Sequence, residues 1–457
     1  MFFEQIYDKT LSQASYLIGC QQTKEAIVID PKRDVDTYIQ LAKENNLRIT
    51  KVTETHIHAD FLSGSRELVA LCGAELYLSD QGGKDWQYEF QHVGLKHGQL
   101  LQLGNLTLEV LHTPGHTPES LSFLLTDHAA TDKPVMIFTG DFVFVGDVGR
   151  PDLLEEAVGV LGSKVEGARQ LFESLRLFKS LPDYVQVWPG HGAGSPCGKA
   201  IGAVASSTVG YEKIRNWALQ HERVDSFIEE LLENQPEVPH YFAKMKILNK
   251  IDRPLLPVVP NYPQLSLQDV SQGDILVDTR NKVAFSKAHY TGAINIQNNR
   301  SLATWAGWML PYDKDLVILT DLKDKQDITR KLMRIGMDNI KGFILLEGDE
   351  EYMDSLELVD AKGVEKELEQ GKSILLDVRN SREFTSGHIA GAQHYFVGKM
   401  ASSLPAIDKQ TSLIIQCQSG DRASIAASYL KHHGFTDVKS YIGSMADWKE
   451  KGLAIEK

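Results

Sequence analysis

Two stretches of this chain carry residue types at spacings that could do chemistry. The first is Thr55-His56-Ile57-His58-Ala59-Asp60-Phe61. An H-x-H-x-D run at the end of an apolar strand aims imidazoles and a carboxylate at one point, as a metal ion requires. Phe61 itself cannot ligate. Three further strand ends carry matching groups: His116 in His112-Thr113-Pro114-Gly115-His116-Thr117, Asp141 in Thr139-Gly140-Asp141, and His191 in Trp188-Pro189-Gly190-His191-Gly192. One histidine in such a loop is usually a surface hydrogen-bonding residue. Four such strand ends in one chain point to a shared metal centre, provided their strands lie side by side.

The second stretch is Cys417-Gln418-Ser419-Gly420-Asp421-Arg422, between the apolar run Ser412 to Ile415 and a helical pattern from Ala423 to His433. A thiol at a strand end, in a tight loop that opens a helix, faces several N–H groups and the positive end of the helix dipole. Such a setting lowers the thiol pKa and stabilises a persulfide anion. The Cys-to-Arg spacing is shorter than the C-x5-R loop of cysteine phosphatases, so the cradle suits sulfur better than phosphate. Cys197, in Gly194-Ser195-Pro196-Cys197-Gly198-Lys199, is either an auxiliary thiol or an inert loop residue. Arg150 is a candidate for the anionic groups of a substrate, with a loop salt bridge as the alternative. Cys20 and Cys72 fall on apolar faces and read as core.

The elements that must position these groups alternate between strands and helices. Residues 15–20 and 25–30 read as a strand pair, followed by a helix and a strand ending at Thr55. A helix is expected from Ser63 to Leu71, capped by Ser63 or Ser65. Strands are expected at 107–111, 120–125, 135–139 and 184–187. The pattern implies an α/β fold with two sheets covered by helices. From Pro254 to Pro263 four prolines occur in ten residues, too stiff and donor-poor for a regular element, which marks a domain boundary.

Beyond that boundary the sequence repeats. Asp278, His289 and Gly292 recur as Asp377, His388 and Gly391, each 99 positions later. Each copy reads as strand, helix, strand, helix, the pattern of a small α/β domain. In the first copy Asp321 stands where the second has Cys417, and a carboxylate cannot carry sulfane sulfur. That copy is degenerate: a spacer, an interface or a docking platform. Glu347 to Glu351 is expected to join the copies. The domains are therefore expected at 1–255, 264–350 and 355–457.

The whole chain has 457 residues and a formal charge of -13, which argues against nucleic acid and anionic membranes as partners. No apolar run is long enough to span a membrane, and no secretory signal is visible. The four cysteines are too few and scattered for a disulfide framework, so a reducing cytoplasm is expected.

Residues 1 to 250 resemble the metallo-β-lactamase superfamily, whose fold is an αββα sandwich. Within it the run from Gly140 through Arg150 to Leu153 looks like the persulfide dioxygenases. The resemblance implies one Fe(II) per chain, held by His56, His116 and Asp141, with His58 in a supporting role. Two-metal hydrolases of the superfamily carry a histidine where Phe61 stands. Asp60 and His191 would serve the second metal, and with Phe61 that site is expected to be empty. Residues 355 to 457, through Asp377-Val378-Arg379, Gly387-His388-Ile389 and the Cys417 loop, resemble a catalytic rhodanese domain. Cys417 would then carry sulfur, and Arg422 would order the loop and attract anionic acceptors.

Taken together, the chain resembles the multidomain bacterial persulfide dioxygenase–sulfurtransferases. The resemblance implies oxidation of a low-molecular-weight thiol persulfide by dioxygen to sulfite and thiol. Sulfur transfer from persulfide to sulfite would follow, giving thiosulfate in sulfide detoxification. A homo-oligomer is expected from the retained degenerate copy. The alternatives are a glyoxalase II-type zinc metallohydrolase with an accessory sulfurtransferase, and a non-catalytic sulfur carrier or persulfide sensor.

Overall fold

The computed structural model describes residues 1–153, 155, 163–344 and 353–457. The segment Glu347 to Glu351, expected to join the two repeats, lies outside the described residues. The chain divides into two compact units, residues 1–259 with 333–336, and residues 260–332 with 337–457. The division falls inside the proline-rich stretch, which carries no strand or helix from Pro254 to Pro263. Both repeats sit in the second unit.

The first unit is built on two six-stranded sheets. In one, Phe2–Asp8, Gln13–Cys20, Glu25–Ile29, Arg48–Thr53, Glu75–Ser79 and Val93–Leu95 lie in chain order. In the other the order also follows the chain, from Leu100–Leu103 through Leu106–His112, Leu121–Asp127, Met136–Gly140 and Gln186–Pro189 to Ser207–Thr208. Gln13–Cys20 is buried along its whole length, so it runs as a near-continuous apolar strand rather than an alternating one. Between the sheets Tyr16, Phe123 and Phe138 interlock with Leu108, Val110 and Ile27. Each such side chain contributes about 1.5–3 kcal/mol by leaving water. Helices Asp36–Glu44 and Ser65–Cys72 cover one outer face, and Ser163–Ser180 with Val224–Leu232 cover the other.

Strand direction explains why the candidate residues can meet. Met136–Gly140 is parallel to Gln186–Pro189 and antiparallel to Leu121–Asp127, which is itself antiparallel to Leu106–His112. The C-terminal ends leading to His116, Asp141 and His191 therefore emerge at one edge of the sheet. The first sheet is tied to that edge where Leu121 N–H donates to the Thr55 carbonyl, 2.7 Å away.

In the second unit the two repeats form parallel sheets with the same strand order. One runs Ile294–Asn295, Ile275–Asp278, Leu316–Leu319, Ile340–Ile344. The other runs Gln393–His394, Ile374–Asp377, Leu413–Gln416, Val438–Tyr441, with Glu357–Val359 added at the edge. Among the described residues no helix is long and apolar enough to cross a membrane.

Local differences from the sequence reading have simple causes. The helix expected from Ser63 spans Ser65–Cys72, with Gly64 at the cap position and no side-chain cap bond. Ser63 lies outside it because its backbone N–H is drawn to Asn249, and its hydroxyl instead accepts from Ser65 N–H at 3.1 Å. The edge strand Phe2–Asp8 escaped notice because only Asp8, its last residue, is fully buried.

Gly140 shows how tightly the edge is built: its φ is +51°, and an added Cβ would sit 2.3 Å from Thr55 Oγ1. Gly140→Ala is therefore expected to lower the melting temperature by several degrees and to weaken metal retention, measured by thermal unfolding and metal analysis.

Candidate functional site

His56, His116 and Asp141 place one ligand atom each within 4.8 Å of one another, and all three are buried. Asp141 Oδ2 lies 3.5 Å from His116 Nε2 and 3.9 Å from His56 Nε2. The His116 Nδ1 sits 2.9 Å from the Arg150 carbonyl, which can only accept, so Nδ1 carries the proton. Burial holds both imidazoles below their usual range, His116 at about 3 and His56 well below it, so they are neutral. The His116 Nε2 lone pair thus faces a carboxylate oxygen. Asp141 Oδ1, Oδ2 and His56 Nε2 have no hydrogen-bond partner although all are buried. Two acceptors facing each other in a buried pocket call for a cation between them. The residues fit a metal ion.

A second group lies beside the first. Asp60, His191 and Cys197 also bring ligand atoms within 4.8 Å of one another, all buried. The His191 Nδ1 is 3.0 Å from the Ser12 carbonyl, and its Nε2 lies 3.3 Å from Asp60 Oδ2 and 3.4 Å from Asp141 Oδ1. Asp141 therefore turns one oxygen to each group. Burial would hold the His191 imidazole down, but Asp141 and Asp60 outweigh it and raise its pKa. A proton on Nε2 can be aimed at only one of these two carboxylates, and Asp60 Oδ2, like Asp141 Oδ1, has no hydrogen-bond partner. Cys197, read as an auxiliary or inert thiol, takes the corner that no histidine supplies. Burial and the two carboxylates push its thiol well above the usual range, so without a cation it is a neutral S–H.

His58 is not part of either cluster. Its Nε2 pairs with Asp30 Oδ1 at 3.2 Å. Burial opposes its charge, but Asp30, Glu54 and Asp60 raise its pKa to about 9, and an imidazolium is no ligand. Phe61 is fully buried with its ring 4.3 Å from that of His58. The Arg150 guanidinium, expected as a contact for substrate anions, is buried and bound to both oxygens of Asp152 and to the Pro196 carbonyl at 3.3 Å. It is the loop salt bridge instead, and its carbonyl is what orients His116.

Several positioning groups were missed in the sequence. Asn249 donates to the carbonyls of His58 and Phe61, both at 2.8 Å, and accepts from Ser63 N–H at 2.9 Å. Glu119 accepts from Ile57 N–H at 2.8 Å, and Asp30 accepts from Thr55 N–H and hydroxyl at 2.6 and 2.8 Å. Together they hold the loop that presents His56. Asn249 and Asp30 lie in segments away from the strand end, and Glu119, three residues past His116, gives no sign in its own run that it reaches Ile57.

In the second unit Cys417 follows Leu413–Gln416 and precedes the helix Asp421–His432. Its Sγ accepts from Gly420 N–H at 3.1 Å, and its own N–H donates to Ser444 Oγ at 3.1 Å. Arg422 grips both oxygens of Glu383, at 2.5 and 2.7 Å, which ties the first turn of its helix to the Asn380-capped helix Ser381–Thr385 of the same repeat. A cavity of about 160 Å³ lies at this loop, lined by Ser419, Asp421 and Arg422 from one repeat and by Gln297, Asn299 and Trp305 from the other.

Residues 9–191 match the family model of the metallo-beta-lactamase superfamily, and residues 360–451 match that of the rhodanese-like domain. A solved metallo-beta-lactamase from Staphylococcus aureus is 46% identical, with a TM-score of 0.72, and covers 76% of this chain and 99% of its own. The chain belongs to the metallo-beta-lactamase superfamily. The mitochondrial persulfide dioxygenase ETHE1 of Bos taurus is 30% identical over 199 residues, 42% of this chain and 68% of that protein. A probable polyketide biosynthesis zinc-dependent hydrolase from Bacillus velezensis is 26% identical over 208 residues, 45% of this chain and 84% of that protein. The superfamily domain thus occupies the first unit, and a rhodanese-like domain stands at the far end of the second.

Asn249→Ala would leave two buried carbonyls and one N–H unpaired, each costing about 1–3 kcal/mol. It is expected to lower the unfolding midpoint and to lose metal on dialysis, and Asn249→Asp, whose buried carboxylate would face the same two carbonyls, is expected to do no better. Thermal melts with metal analysis check both.

Proposed function

We propose that this chain is a persulfide dioxygenase coupled to a sulfurtransferase. A low-molecular-weight thiol persulfide, with dioxygen and water, becomes the free thiol and sulfite at the first unit. Cys417 then takes the outer sulfur of a second persulfide and passes it to sulfite, giving thiosulfate. His56, His116 and Asp141 would hold Fe(II), which supplies a redox partner for dioxygen that d¹⁰ zinc lacks.

The observation that carries this reading is the coexistence of two sites in one chain. One is a two-histidine, one-carboxylate cluster whose buried lone pairs face each other. The other is a thiol whose sulfur already accepts from a loop N–H. The chain's own residues do the following. Thr55 Oγ1 and the Arg150 carbonyl fix the two imidazole rings through their Nδ1 atoms, at 2.9 Å each. Asp30 keeps the His58 proton away from the cluster. Phe61 removes a ligand from the second group and adds apolar surface beside His58. At the other site the Gly420 N–H steadies negative charge on Cys417 Sγ when sulfur leaves it. One chain also keeps sulfite close to its acceptor role, raising its effective concentration. The bovine persulfide dioxygenase relative supports the oxidative half, and the rhodanese-like domain supports the transfer half.

A second reading is favoured by one observation, the Asp60, His191 and Cys197 cluster. If a second cation sits there, the chain would be a two-metal hydrolase of thioesters instead, and a zinc-dependent hydrolase among its relatives supports the hydrolytic half of that reading.

Two substitutions test the proposal. Cys417→Ser is expected to keep oxygen uptake while the product shifts from thiosulfate to sulfite; an unchanged thiosulfate yield would refute the coupling. Asp141→Ala is expected to abolish both iron retention and oxygen uptake, and an iron-replete, active variant would show the ligand set to be wrong.

A further inference from the structure

The degenerate repeat reaches into the sulfur-transfer loop through Lys282. This residue follows Asn281, which caps the short helix Lys282–Lys287 with its side chain. The Lys282 ammonium donates to the Ser419 carbonyl, and to Asp421 Oδ1 at 2.7 Å. Gln297 and Asn299 of the same repeat reach the Asp421 carbonyl and carboxylate, at 3.4 and 3.3 Å.

The Ser419 carbonyl and the Gly420 N–H are the two ends of one peptide unit. No peptide in the described chain is cis, so these ends point in opposite directions. Lys282 holds one end, and the other donates to Cys417 Sγ at 3.1 Å. Gly420 has φ +92°, and an added Cβ would lie 2.2 Å from the Ile442 carbonyl, so only glycine fits at this position. The Gly420 carbonyl is held by the helix, accepting from Ser424 N–H at 3.0 Å, while on the Ser419 carbonyl the contact is Lys282. A cation on the carbonyl both fixes the plane and polarises the N–H aimed at sulfur.

We infer that Lys282 is a positioning residue for sulfur transfer: the degenerate repeat orients the Ser419–Gly420 peptide whose N–H stabilises the Cys417 thiolate. In the transfer step the acceptor's lone pair bonds to the outer sulfur of the Cys417 persulfide. The S–S bond breaks, and its electron pair returns to Sγ, where the Gly420 N–H receives it. The group that leaves is the one Lys282 acts on, through one peptide plane. This inference rests on the sulfurtransferase reading for its effect on turnover, and on geometry alone for its effect on the thiol.

The test uses the full-length chain with Lys282→Met and Lys282→Arg. One readout is the rate of Cys417 alkylation by iodoacetamide at pH 7, followed on the Cys417 peptide by mass spectrometry. The other is kcat and KM for sulfur transfer from thiosulfate to cyanide. Lys282→Met is expected to slow alkylation and kcat on the order of tenfold, less than loss of a direct donor costs. KM is expected to stay within about twofold, with Lys282→Arg restoring most of both rates. A folded Lys282→Met protein that alkylates like the wild type would overturn the inference. So would a kcat loss that Lys282→Arg fails to restore at all. If the wild type transfers no sulfur, the sulfurtransferase reading fails, and the alkylation rates still decide the role of Lys282.

Discussion

The first unit depends on a conflict that its own residues leave open. Asp141 is buried with both oxygens unpaired, one facing His116 and His56, the other facing His191. Burial favours a neutral carboxyl and raises the Asp141 pKa to about 6, while His191 opposes that rise. At His116 a bound cation resolves the conflict, because the Arg150 carbonyl has already taken the imidazole proton and leaves Nε2 as an acceptor. At His191 a proton on Nε2 can reach only one of the two carboxylates beside it. One fold thus presents two adjoining groups of buried ligand atoms that share Asp141.

The rest of the unit is organised to keep that conflict from relaxing. Three strand ends converge because alternating antiparallel and parallel pairings bring them to one edge. The loop from Thr55 to Ser63 is then held by Asp30, Glu119 and Asn249 through its backbone. Hydrogen bonds to buried charged groups contribute roughly 1.5–3 kcal/mol each, enough to fix a loop that has no regular structure of its own. The sulfur loop works in the same way on a smaller scale, since its charge-stabilising N–H is fixed from outside by a neighbouring repeat.

The sequence made the strand-end groups legible because a metal or persulfide site at a strand terminus leaves a local signature. His56, Asp60, Cys417 and Arg422 each sit within a few residues of the element that presents them. What stayed hidden was non-local. Asn249 acts on His58 from 191 positions away, and Glu119 on Ile57 from 62. Cys197 looked like a loop cysteine because its partners Asp60 and His191 arrive from other segments. For Arg150 the sequence leaves a substrate anion and a loop salt bridge both open, because nothing in its run shows that Asp152 folds back onto it. Lys282 belongs to the repeat without a cysteine, which the sequence marks only as a spacer, an interface or a docking platform. Its side chain matters for where the carbonyl of another repeat lies.

The most direct measurement is oxygen consumption by anaerobically purified protein given glutathione persulfide, with metal content and sulfite determined on the same sample. The account predicts about one iron per chain and oxygen uptake matched by sulfite plus thiosulfate. Iron-loaded protein that takes up no oxygen, or active protein that holds two zinc ions and hydrolyses thioesters instead, would contradict it.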